Sequence, residues 1–109
     1  MSNDLSESDT FALLADRRRR LLLRLLRDSD TQLTVTELAE RIRERDESSS
    51  RDPTSIRPSL CQDHLPQLAA ADVVAYDETE GTVRPERNFE RLVYLLEKAE
   101  KDELVRSER

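Results

Sequence analysis

Chemically specific side chains are scarce in this 109-residue chain, and most of them lie near its middle. Cys61 and His64 are its only cysteine and histidine. They sit three apart on one expected helix, but two ligands do not close a zinc site. A single cysteine permits no internal disulfide. Gly81 is the only glycine, so there is no glycine-rich loop to cradle a phosphate. Nothing in the spacing gathers a Ser-His-Asp set into one pocket, and the carboxylates are spread as solvation of helix faces requires. The sequence therefore implies no cofactor, no metal and no enzyme. The hydrogen-bonding types around Cys61 point elsewhere. Ser55, Arg57, Ser59 and Gln62 fall in one stretch, and arginine and glutamine can each make paired hydrogen bonds to a base edge, guanine and adenine respectively.

These residues need a helix to present them. The pattern predicts one over residues 55–70, burying Ile56, Leu60, Leu65 and Leu68. Pro58 is tolerable in a first turn, whereas Pro66 must kink the helix or divide it. A capping box opens the preceding helix: Thr34 is the N-cap and Glu37 reaches back, with Val35, Leu38, Ala39 and Ile42 at helical spacing to about Arg45. Residues 47–54 read as a polar loop. Upstream, a helix starts near Asp9 or Thr10 with Asp9 as its cap. Asp16 marks a break, and residues 17–27 form a second helix whose wide leucine band calls for a central position. Residues 31–33 suit a short strand. Residues 73–76 and 82–84 make a hairpin around Gly81, and a last helix runs from Glu86 to about Lys101. Residues 1–8 are expected to be a disordered tail, residues 9–104 one domain, and residues 105–109 a frayed end.

The chain carries 24 acidic and 18 basic residues, a net charge of -6, and only Lys98 and Lys101 of the basic residues are lysine. A surface poor in lysine and rich in carboxylates suits a cytoplasm at molar salt, so a halophilic source is expected. No apolar run approaches the ~20 residues of a membrane span, and the acidic start is not a signal peptide. A cytoplasmic protein is expected.

A helix pair followed by a hairpin is the winged-helix order, so the expected class is mainly α with a small β-hairpin, a winged helix-turn-helix. The stretches FALLADRRRRLLLRLL (residues 11–26), TVTELAERI (34–42) and HLPQLAAADVVAYD (64–77) resemble small haloarchaeal winged-helix proteins of a domain family of unknown function. They are similar, more distantly, to ArsR-like regulators. The resemblance implies a DNA-binding transcription regulator, and Asp72 departs from it where such proteins usually carry glycine.

On that reading the helix from Ser55 enters the major groove, with Ser55, Arg57, Ser59 and Gln62 as base readers and Arg84 on phosphate. Asp63 and the acidic wing tip (Asp77, Glu78, Glu80) oppose DNA, and they support the alternative, a winged-helix module that binds protein. A continuous basic surface around these positions would mark DNA, and an acidic one protein. Arg17, Arg20, Arg24 and Arg27 form a helical stripe that suits pairing with neighbouring carboxylates better than a DNA backbone. Phe11, Leu14, Leu92, Leu95 and Ala99 are the candidate surface for a homodimer reading a two-fold site in double-stranded DNA.

Overall fold

The computed structural model describes residues 5–29, 32–45 and 56–107. Helix α1 spans Glu7–Leu14. Its cap is Ser6 and not Asp9: the Ser6 Oγ accepts the Asp9 N–H at 3.0 Å, and the Thr10 hydroxyl donates to the Ser6 carbonyl at 2.9 Å. Serine wins because its oxygen reaches the third helical N–H, one of the donors left without an intrahelical partner. Order thus begins earlier than expected, and Leu5, assigned to the tail, is only 8% exposed and packs in the core.

Asp16 does break the chain, and it also starts the next helix. Its Oδ1 accepts the N–H groups of Arg18 and Arg19 at 2.7 and 3.2 Å, which opens α2 at Arg17–Ser29. Leu22, Leu23, Leu25 and Leu26 are all buried, so α2 is central, packed against α1 and against the helices over Val35–Arg45 and Phe89–Ser107. A two-residue strand β1, Leu33–Thr34, leads into α3, Val35–Arg45. The capping box forms in both directions: the Glu37 N–H donates to Thr34 Oγ1 at 3.0 Å, and the Thr34 N–H to Glu37 Oε1 at 2.9 Å.

The next helix is one rod in three pieces: α4 at Ile56–Ser59, a π-turn at Leu60–His64, and α5 at Leu65–Ala70. The Leu65 N–H donates to the Leu60 carbonyl, five residues back. Two features of the sequence require that wider turn. Leu60 and Leu65 are both fully buried, yet five residues of regular α-helix would set them about 140° apart. The Pro66 ring would also collide with the Gln62 carbonyl of a regular helix. One extra residue in the turn resolves both, so Pro66 neither divides the helix nor leaves it regular.

The rod ends in a Schellman motif. Asp72 adopts φ 59°, its N–H donates to the Ala69 carbonyl, and the Val73 N–H donates to that of Leu68, both at 3.0 Å. Asn88 and Arg87 brace this corner: Asn88 Nδ2 donates to the Ala71 carbonyl at 2.9 Å, and Arg87 pairs with the Asp72 carboxylate at 3.3 Å. Strands β2, Val74–Asp77, and β3, Thr82–Pro85, form the hairpin. Tyr76 faces Val83 across it, and Leu33 of β1 faces Val83 from the other side, giving an antiparallel order β1-β3-β2. Helix α6 runs over Phe89–Ser107, beyond the expected end at Lys101. The result is a mainly helical domain with a small three-stranded sheet, in winged helix-turn-helix order.

Candidate nucleic-acid interface

The helix pair α3 and α4–α5 carries the base-reading candidates. Arg57 and Gln62 are exposed and Ser59 is half-buried, while Ser55 lies outside the described residues. Neither Arg57 nor Gln62 forms an ion pair or side-chain hydrogen bond among the described residues. The π-turn bears on their spacing. Five residues apart on a regular helix, they would diverge; the wider turn swings Gln62 round toward the side carrying Arg57.

The wing lies against α5, and Arg84 is exposed on β3. An open hollow of about 870 Å³ separates the two elements, lined by Pro66, Ala69 and Ala75, with Glu78, Glu80 and Arg84 among its polar groups. Tyr76 links this hollow to α4. A hydrogen bond with the Cys61 thiol, then burial, pushes the Tyr76 hydroxyl up to about 12, and the Arg57 charge acts against that rise. Tyr76 thus lies within reach of the Arg57 charge and shares the lining of the hollow with Arg84.

The field there is mixed. Arg84 shares the hollow with Glu78 and Glu80, and the π-turn that carries Gln62 also carries the exposed Asp63. Asp77 is occupied locally, since its Oδ1 accepts the Thr79 and Glu80 N–H groups at 2.9 and 3.0 Å and shapes the turn that Gly81 closes at φ 69°. The basic surface is not continuous.

Three arginines of the α2 stripe are turned to structural use, and Arg17 is exposed. Arg24 pairs with Glu100, Arg27 pairs with Glu97 at 3.3 Å and Asp28 at 3.1 Å, and Arg20 donates to the Leu14 carbonyl at 2.7 Å. Of the proposed dimer surface, Phe11 is 67% exposed, Ala99 is exposed, and Leu14 and Leu95 are half-buried. Leu92 is fully buried in this chain's own core, which removes it from any contact surface. Tyr94, not singled out in the sequence, is 62% exposed and borders a hollow of about 600 Å³ with Leu26, Phe89 and Val93.

Sequence reasoning also missed Arg19. It belongs to a run of four arginines, and only its register on α2 separates it from the half-buried Arg18 and Arg20 and the exposed Arg17. Its guanidinium is buried against Ala12, Leu13, His64 and Gln67. Among the described residues, no three His, Cys, Asp or Glu side chains converge as metal ligands.

Residues 11–84 match a family described as a domain of unknown function, DUF7344. The chain belongs to that family. The DUF7344 match runs from Phe11 in α1 to Arg84 in β3, so it contains the helix pair and the hairpin and stops short of α6. No curated protein and no solved structure matches the chain. Among the described residues, no helix is long and apolar enough to cross a membrane.

Proposed function

We propose that the chain is a DNA-binding regulator of transcription that reads base edges from the α4–π-turn segment. The observation that carries this reading is the presentation of Arg57 and Gln62, exposed and unengaged among the described residues, on the second helix of a helix-turn-helix. Arg84 on the neighbouring strand supplies a phosphate contact. The role is binding and not catalysis, in a cytoplasmic protein of halophilic, haloarchaeal source with distant kinship to ArsR-like regulators. It acts as a homodimer, with Phe11, Leu14, Leu95 and Ala99 at the contact. The test is Arg57→Ala with Gln62→Ala in a binding assay at molar KCl, beside genome-wide crosslinking in the native host. Loss of affinity and reproducible enriched sites are expected; unchanged affinity removes this helix as the reader.

A second reading is favoured by the wing. Asp77, Glu78 and Glu80 line the hollow against a single arginine, Arg84. An acidic rim repels phosphate and suits a cationic protein surface. On this reading the double variant leaves DNA affinity at the same low level as the wild type, and charge reversal at Glu78 and Glu80 abolishes a protein contact.

A further inference from the structure

We propose that Arg19 and His64 form a proton-controlled latch between the α1–α2 corner and the π-turn, engaged when the imidazole is neutral and released when it is protonated. The inference does not depend on what the α4 face binds.

The geometry sets the protonation state. Arg19 Nε donates to the Leu13 carbonyl and Nη2 to the Ala12 carbonyl, both at 2.9 Å. The guanidinium thereby holds the Leu13 carbonyl at the end of α1 and joins the Ala15 N–H on the Ala12 carbonyl. Nη1 lies 3.3 Å from His64 Nδ1 and 3.2 Å from Gln67 Oε1. Arginine has only donors and does not lose its proton, so Nδ1 must be the acceptor. The ring proton then sits on Nε2, facing Asp16 Oδ1 at 4.0 Å. Arg19 is 8% exposed and His64 4%, so water offers little substitute.

Adding a proton at Nδ1 removes the acceptor and sets two cations face to face. Every charged neighbour can be named. Arg18 and Arg19 oppose the new charge from α2; Asp16 at the corner and Asp63 on the ring's own helix attract it. Asp63 Oδ2, 3.9 Å from Nδ1, is the alternative partner, although its carboxylate already holds the Gln67 amide. Protonation therefore moves the ring from Arg19 toward Asp63, displaces Gln67, and leaves Arg19 holding α1 without its anchor on the π-turn. Burial lowers the His64 pKa, which places the release on the acid side of an ordinary histidine.

The test uses the full chain. The His64 midpoint is read by NMR titration, and amide exchange in α1 and residues 60–65 is compared on either side of it. Exchange, corrected for the intrinsic pH dependence of amide exchange, is expected to rise about tenfold as His64 charges. His64→Gln keeps an acceptor for Arg19 and carries no proton, so it should flatten that dependence. Arg19→Gln should move the His64 midpoint upward, and this arm holds even if His64→Gln fails to fold. Exchange that is level across the wild-type midpoint, a rise that survives in His64→Gln, or an unmoved midpoint in Arg19→Gln each overturns the latch.

Discussion

A guanidinium keeps its charge at any pH a protein meets, so burying one requires acceptors for its donors. Arg19 finds four, on three different elements. Replacing it with methionine keeps much of the stem and strands those acceptors. Arg19→Met should cost about 2–4 kcal/mol, read by urea unfolding, because buried acceptors are left unpaired. A cost below about 1 kcal/mol would show that water or neighbours replace the network easily. Histidine 64 adds a pH dependence of definite sign. Burial, supported by the Arg19 and Arg18 charges, lowers its pKa below 6.5 despite Asp16 and Asp63. As acid is added the unfolded chain takes the proton first, so this contribution is complete above pH 6.5 and falls below it. Asp16 follows at lower pH. Burial raises its pKa, but the N–H bonds from Arg19 and Arg18 outweigh that and hold it below 3.8, so its cap is lost as pH falls further. Acid should therefore destabilise the wild type in two stages, and His64→Gln should remove the first.

Elements show where the sequence was legible and where it was not. The capping box over Thr34 and Glu37 is a local signature with one geometry, and it forms as read. Thr34→Ala should cost about 1 kcal/mol in urea unfolding, with α3 still present by circular dichroism. Asp72 was legible through the resemblance: it stands where such proteins usually carry glycine, and it takes the left-handed conformation that glycine favours. Asp72→Ala should lose about 1 kcal/mol, since alanine has no side-chain oxygen to ease that conformation and cannot pair with Arg87. The π-turn was present in the sequence as an irregular interval. Ile56, Leu60, Leu65 and Leu68 are spaced by four, five and three, and the interval of five next to Pro66 is its signature. Periodicity fitted to 3.6 residues absorbs such an interval as noise. The buried role of Arg19 was not legible, because its side-chain partners lie 45 and 48 residues away and adjacent arginines differ only in helical phase.

On the scale of the whole molecule, charge and shape point in different directions, and salt separates them. The net charge of -6 opposes compaction at low ionic strength, so the urea midpoint should rise steadily with KCl toward the molar range. A flat response would remove the argument for a halophilic surface. The same charge distribution limits how DNA can be held. Each phosphate neutralised contributes about -0.9 to the slope of log affinity against log salt. Two exposed arginines, Arg57 and Arg84, face the proposed site. If both met phosphate, the slope would be about -2 per chain, and base contacts by Arg57 would make it shallower still. Cations taken up by Glu78 and Glu80 would reduce it further. Binding measured across a KCl series should thus be nearly salt-tolerant and lost in Arg57→Ala with Gln62→Ala. A steep slope, about -6 or beyond per chain, would require a basic surface that these residues do not build, and would place the DNA contact elsewhere on the protein.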